Sequence, residues 1–458
     1  MSRRSHSASP GPRDAKRPRL DYLTPDDYRN GVMLAPMVRS GALPTRLFAL
    51  KHGAKLVWGP EIVDKAILHA ERVVDPVSGV ISYNGKSRAM FTTHPVEKPY
   101  LVYQIGSSDP ALAVQAAKTV MQDVSGIDLN CGCPKPFSTH SGMGAALLST
   151  PDLLCSILTA LRAELPAHIS ISAKIRLLPT QEDTLKLVEK IINTGVNCLT
   201  VHCRTRSMRQ TERARVERLK EIVDFVKSSG KDVAVIENGD CEGYHDARRI
   251  RALTGADSVM IATAAESNPS VFSPTPLVDL ESTLVPSYIR LCKYLDNYWA
   301  STKFSVAQFK GSRVKISKSE GKAMRDQVVK SKDYTGLDEI IGFWNGEAEF
   351  QQISKAIEER AHNPPTILPA ELEIPPDAGV DAGVDTPPPS FSNTPQDPSA
   401  FTTPPEWRGN PDPAAVVGAP VVSSNPRRAP VPALVSGHDE TTPTPMPKQG
   451  VETSLHAM

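Results

Sequence analysis

The run Asp128-Leu129-Asn130-Cys131-Gly132-Cys133-Pro134 sets two thiols, an amide and a carboxylate close together. Two chemistries compete for it. A metal would need a second pair of ligands at suitable spacing. The other five cysteines, 155, 198, 203, 241 and 292, offer none, and no C-x-x-C pair exists, so zinc is disfavoured. The alternative is proton transfer by Cys133, whose neighbours Gly132 and Pro134 fix a tight turn. A thiol near its ordinary pKa of ~8.5 stays mostly protonated at neutral pH and can donate to a carbon centre. The glycine-rich stretch Ser141-Gly142-Met143-Gly144 that follows has the character of a loop able to move over a substrate.

Three other places carry comparable chemistry. Lys174 lies inside the β-like run Ile169 to Arg176, where an inward ammonium is costly without an anionic partner. Reduced flavin would be one such partner, and a neighbouring carboxylate such as Glu61 another. His202 follows Leu199-Thr200-Val201 and is followed by Arg204-Thr205-Arg206, donors suited to anions, although a lone histidine at such a position is often only a core residue. Glu237-Asn238-Gly239-Asp240 combines a polar strand end with a glycine that permits close backbone approach, as a phosphate group requires.

These residues share a position in a repeated pattern. Short β-rich runs at Val32 to Met37, Leu56 to Glu61, Tyr100 to Gly106, Gly126 to Gly132, Ile169 to Arg176, Cys198 to Arg204, Val233 to Asp240 and Ser258 to Thr263 alternate with helical segments. Ser108-Asp109-Pro110 and Thr150-Pro151-Asp152 open helices, and Gly53, Gly195 and Gly255 close others. Eight β-then-α units predict an α/β fold, the (β/α)8 or TIM barrel, whose active site lies at the carboxyl ends of the strands. Those ends are Pro36-Met37, Glu61, Gln104, Asn130 with Cys133, Lys174, His202, Asn238-Gly239 and Ala262-Thr263. Tyr83-Asn84-Gly85-Lys86 predicts an inserted hairpin.

Past Pro286 the β runs stop, and Tyr288, Leu291, Cys292, Leu295 and Trp299 recur at helical spacing, which predicts a smaller all-helical domain. Within it Lys310, Arg313, Lys315, Lys318, Lys322, Arg325 and Lys330 outnumber Glu320 and Asp326, a balance suited either to a phosphate backbone or to a solvated face. The expected division is a basic disordered tail over 1–27, the barrel over 28–283, the helical domain over 284–362 and a proline-rich disordered tail over 363–458. Lys16-Arg17-Pro18-Arg19 fits a nuclear-import signal or a solvated arm, and the expected location is otherwise the cytoplasm. The net charge of +1 leaves any nucleic-acid surface to local clustering. No apolar run approaches the ~18 residues of a membrane helix, so no membrane partner is expected.

Taken in order, Met33-Leu34-Ala35-Pro36-Met37-Val38 with Gly41 and Pro44-Thr45-Arg46, Val102-Tyr103-Gln104-Ile105-Gly106, Asn130-Cys131-Gly132-Cys133-Pro134-Lys135, Ala173-Lys174-Ile175-Arg176, Val201-His202-Cys203-Arg204-Thr205-Arg206 and Asn238-Gly239-Asp240 resemble the tRNA-dihydrouridine synthases. Pro134 to Thr139, Gly142 to Leu148 and Ser267 to Phe272 look most like the eukaryotic subgroup acting at D-loop position 20. The resemblance implies FMN as cofactor, NADPH or NADH as reductant and tRNA as partner; no metal and a monomeric protein are the further expectations. It implies hydride delivery to C6 of a uracil flipped out of the tRNA, with Cys133 protonating C5 from the opposite face. It assigns Pro36, Met37, Val38, Gln104, Lys174 and His202 to the flavin with Glu61 near it, and Asn238, Gly239, Asp240, Ala262 and Thr263 to its phosphate. Asn130 and Arg206 fall to the uracil pocket. One departure is Thr263, where the family usually has arginine; loss of a charge-assisted hydrogen bond would cost about 1.5 to 3 kcal/mol of FMN binding. Two rivals follow: a flavin barrel reducing a free pyrimidine, and a tRNA-binding protein with poor flavin occupancy.

Overall fold

The computed structural model describes residues 22–310, 318–341, 346–360 and 364–367, all within one compact unit, 1–378. The basic cluster at 16–19, Arg313, Lys315 and the proline-rich segment from 368 onward lie outside the described residues.

Twelve strands run in chain order among the described residues: β1 Val32–Leu34, β2 Val57–Trp58, β3 Ile62–Val63, β4 Glu71–Val74, β5 Ile81–Asn84, β6 Ala89–Thr93, β7 Leu101–Gly106, β8 Gly126–Cys131, β9 Ser170–Leu177, β10 Cys198–Thr205, β11 Ala234–Asn238 and β12 Ser258–Ile261. Strands β2, β1, β12, β11, β10, β9, β8 and β7 pair in parallel in that order, and β2 also pairs with β7, which closes the sheet into an eight-stranded barrel. The eight runs marked by the sequence are these strands. Their near-continuous burial fits a parallel sheet covered by helices, among them Pro110–Val120, Pro151–Glu164 and Gln181–Ile192.

The predicted hairpin is present as β5 and β6, and β4 joins them in an antiparallel three-stranded sheet. β4 is exposed along its whole length, so it lacks the buried alternation that marks a strand in sequence. Strand β3 pairs with the end of β7, Ile62 opposite Ile105, and brings Glu61 over the barrel mouth.

The opposite end of the barrel is closed by Tyr28, where the barrel was expected to begin, and by Leu23 and Ile367 from the expected tails. Residues 25–28 form a 3-10 turn, Leu23 and Tyr28 are buried, and Tyr28 Oη donates to Ser170 Oγ at 2.8 Å. Ile367 is buried and its N–H donates to the carbonyl of Asn30 at 2.9 Å.

Helices Leu280–Tyr294, Trp299–Gln308, Lys318–Lys330 and Glu347–Glu359 follow the barrel. The first begins upstream of Pro286 and carries that proline inside it, so the expected boundary at 283/284 falls within a helix. Tyr288, Leu291 and Cys292 are buried as their spacing requires. Tyr288 Oη is 2.8 Å from Thr45 Oγ1 on the first barrel helix, and Arg360 donates to Leu50 O at 3.0 Å. The helical segment thus packs directly on the barrel wall.

Candidate active site

Period-two alternation sends Asp128 and Asn130 of β8, Ser172, Lys174 and Arg176 of β9, Thr200 and His202 of β10 and Asn238 of β11 to one face of the sheet, the barrel interior. The register sets them side by side: Asn130 opposite Lys174, Lys174 opposite Thr200, Arg176 opposite His202, and His202 opposite Asn238. Spacing along the strands and strand order together assemble the mouth.

A buried polar chain fixes one wall. Ser172 Oγ donates to Asp128 at 2.6 Å, Gln104 Nε2 donates to Asp128 at 2.8 Å, and Asn130 Nδ2 donates to Gln104 Oε1 at 3.3 Å. Asn130 Oδ1 then accepts the N–H groups of Gly132 at 2.9 Å and Cys133 at 3.0 Å. The Asn130 amide also lies near enough to Glu61 to favour its charged form. With both ends engaged, Asn130 acts here as the clamp of the Cys133 turn.

Cys133 is half-buried, whereas Cys131 is fully buried and packs in the wall. All seven cysteines are free, and among the described residues no three His, Cys, Asp or Glu side chains gather as metal ligands. Burial, followed by the charge of Glu61, raises the Cys133 pKa. A thiol so shifted holds its proton at neutral pH, as an acid must before it acts.

The facing wall is cationic. The Lys174 ammonium has no hydrogen-bond partner or ion pair among the described residues, and burial with the charge of Arg176 brings it down to about 8. Glu61 is not its counterion; the carboxylates that act on it are Asp128 and Glu237, neither within ion-pair distance. Burial and then the charges of Lys174, Arg176 and Arg204 push the His202 imidazole down to about 2, so it is neutral in use. Arg176 Nε donates to Gly132 O at 2.7 Å and its Nη1 to Thr205 O at 3.1 Å, tying the Cys133 turn to the end of β10. Nothing in the sequence marks this role for Arg176.

The other expected residues fall around this mouth with differing accessibility. Pro36 and Met37 are half-buried at its edge and Val38 is exposed. Their loop is braced from beneath: Met37 O accepts from Gly41 N at 2.8 Å, and Arg46, itself paired with buried Glu97, donates to Gly41 O at 2.7 Å. Asn238 is buried, its Nδ2 donating to Met260 O at 2.8 Å. At Gly239 a Cβ would stand 2.7 Å from that of Ala214, so only glycine fits the close approach. The Asp240 carboxylate binds Arg204 and Ala214 N, the latter at 2.7 Å, so any phosphate contact there belongs to backbone groups. Ala262 is half-buried and Thr263 exposed. Arg206 is also exposed, at the rim and not in the buried mouth. It continues into Arg209, Arg213 and Arg215, all exposed and without an ion pair among the described residues, while buried Arg204 holds this loop through Glu212 O and Gln210 O.

The barrel mouth thus sets a protonated thiol near a buried ammonium that has no hydrogen-bond partner among the described residues. The family model described as dihydrouridine synthase (Dus) matches residues 33–368. The chain belongs to the dihydrouridine synthase family. A tRNA-dihydrouridine(20) synthase, NAD(P)+, of Schizosaccharomyces pombe is 50% identical over 290 residues, covering 62% of this chain and 60% of that protein. The protein of the same description from Saccharomyces cerevisiae is 43% identical over 298 residues, covering 61% of this chain and 77% of its own length. A tRNA-dihydrouridine(20a/20b) synthase of Saccharomyces cerevisiae is 32% identical over 240 residues, covering 52% of this chain and 60% of that protein. The chain thus spans about three fifths of the first of these relatives. Membership in the Dus family accounts for the barrel and for the polar groups at its strand ends.

Proposed function

We propose that this chain is an FMN-dependent tRNA-dihydrouridine synthase that reduces the C5–C6 double bond of uridine at position 20 with NADPH or NADH. The single observation that carries the reading is the pairing of a protonated Cys133 thiol with a cationic wall of Lys174 and Arg176, neutral His202 beside them, across one mouth. The names of the more similar relatives support the position on tRNA and the nicotinamide reductant.

The residues fit FMN. An unpartnered ammonium within the barrel calls for an electron-rich or anionic ring system. When bound, FMN supplies a hydride. Pro36, Met37, Val38, Gln104, Lys174 and His202 would hold its ring, and Asn238, Gly239, Ala262 and Thr263 would surround its phosphate through backbone groups and a hydroxyl. Neutral His202 offers a hydrogen bond without adding to the crowded positive charge. Cys133 donates its proton to C5 of the uracil, and Asn130 holds the thiol at that place through the turn.

The uracil must leave its stack to reach a mouth at this depth. The exposed arginines after β10 and the exposed Lys310, Lys322 and Lys330 of the helical segment are the proposed contacts to tRNA phosphates. Arg325 is withdrawn from that set, since it pairs with buried Glu281 at 2.7 Å. These surfaces favour tRNA over a free pyrimidine as substrate.

The test is formation of dihydrouridine in unmodified tRNA by FMN-loaded protein with NADPH, compared with Cys133→Ala. The variant is expected to lose product formation while NADPH still bleaches the bound flavin. Product formed at the normal rate by Cys133→Ala removes the thiol from its role.

A further inference from the structure

Glu61 is the buried acid that the Cys133 mechanism leaves without a task. Only 8% of it is exposed, enough of an edge to meet water. Ser138 Oγ donates to its Oε1 at 3.5 Å, and the Cys133 thiol and Asn130 amide lie near enough to bias its protonation.

Two glycines shape this niche. A Cβ on Gly106 would stand 2.7 Å from Glu61 Oε1. A Cβ on Gly144, whose φ is 59°, would strike Ser138 Oγ and come 2.7 Å from Cys133 O. The backbone of β7 and the loop after the Cys133 turn are therefore drawn in close around the carboxyl and the Ser138 hydroxyl, beside the thiol-bearing turn. A carboxyl that merely filled space would not need glycine on both sides.

Resting on the dihydrouridine synthase reading, we propose that Glu61 is a positioning residue that acts through Cys133, returning a proton to the thiolate after each turnover. As C5–H forms, the Cys133 S–H bond breaks and leaves a thiolate. The Glu61 O–H bond then breaks as S–H re-forms, and the resulting carboxylate takes a proton from water. The relay moves one proton and consumes no oxidant or reductant.

The electrostatics agree with the geometry. Burial pushes the Glu61 carboxyl up to about 7, although Cys133, Ser138 and Asn130 beside it oppose the rise. The titratable groups facing it are Cys133 at the mouth and Cys131 behind it; no charged side chain contributes. An acid near 7 beside a thiol whose own pKa is raised gives up its proton downhill to the thiolate.

Glu61→Gln keeps the shape and removes the proton. On flavin-reduced enzyme it is expected to give a burst of one dihydrouridine per active site, then a slow phase at least about tenfold below the wild-type turnover rate, one pH unit of lost driving force being a factor of ten. The wild-type rate is expected to fall as pH rises through about 7, and the variant to lose that inflection. A purely structural defect would slow burst and steady state together. Gly106→Ala, whose methyl displaces Oε1, is a second variant expected to behave the same way.

A readout free of turnover is the rate at which iodoacetamide labels Cys133, followed by mass spectrometry of its peptide between about pH 6 and 9. Without the carboxylate beside it the thiol ionises more easily, so Glu61→Gln should label several-fold faster above neutrality. Labelling that tracks the wild type, or wild-type turnover with an unchanged pH profile, overturns the relay. Should the wild type make no dihydrouridine, the proposed function falls, and the labelling comparison still decides whether Glu61 governs Cys133.

Discussion

The side-chain oxygen of Asn130 accepts the backbone N–H of Cys133 at 3.0 Å, so the residue aligned with the substrate pocket by family resemblance is the one that aims the thiol. Asn130→Ala would leave two turn N–H groups unsatisfied, at about 1 to 3 kcal/mol for a buried donor. Dihydrouridine formation is expected to drop about tenfold or more, since misaiming the acid costs as much as weakening it. Flavin content, read from absorbance, should be retained. Equal loss of flavin would show the clamp to serve the cofactor instead.

Lys174→Met tests the cationic wall in two opposite directions. FMN affinity, measured by fluorescence titration, is expected to fall about 10- to 150-fold, the equivalent of one charge-assisted hydrogen bond. The flavin-free protein should melt at a higher temperature, because an ammonium without a partner has been replaced by an apolar chain of similar length. A lower melting temperature without flavin would mean that Lys174 supports the fold itself.

His202 makes acid stability a local measurement. The unfolded chain takes up its imidazole proton near pH 6.5, whereas burial and the surrounding cations hold the folded group at about 2. Between these values the unfolded state binds the extra proton, so stability present above 6.5 is lost as pH falls. His52, lowered to about 4 by burial, acts in the same direction. Glu61 acts oppositely, its raised pKa stabilising the fold as pH drops below about 7. The difference between wild type and His202→Asn isolates one contribution, and the variant's melting temperature should decline less steeply from pH 6.5 downward.

The arginine loop after β10 is tested by salt. Replacing Arg209, Arg213 and Arg215 by glutamine should weaken tRNA binding and lower the slope of log affinity against log salt by about 0.7 to 0.9 for each phosphate no longer neutralised. None of the three has an intramolecular ion pair among the described residues, so the fold should tolerate the change. An unchanged slope would take this loop off the tRNA path.

The barrel was readable because each of its strands is short, buried and bounded by helix punctuation, and Lys174 and His202 stood out as polar groups inside such runs. What stayed hidden depends on residues far apart in the chain. Glu61 meets Ser138 across 77 positions, and Arg176 reaches Gly132 in the turn after β8 and Thr205 on β10. Asn130 has a structural task that sequence does not mark, since sequence shows the strand end but not the turn whose N–H groups its side chain accepts. Arg325 belongs by sequence to a basic face, and only the fold brings it to its partner Glu281 on another helix. β4 was missed because its exposed residues carry no period.

Arg176 also has a consequence for motion. By gripping Gly132 O with Nε and Thr205 O with Nη1, one guanidinium makes the thiol-bearing turn and the root of the arginine loop a single cooperative unit. The two segments should open to solvent together, with matched amide-exchange rates. Whatever draws the arginines toward a phosphate backbone then also tightens the turn that delivers the proton, and grip on the nucleic acid and readiness of the acid become one event.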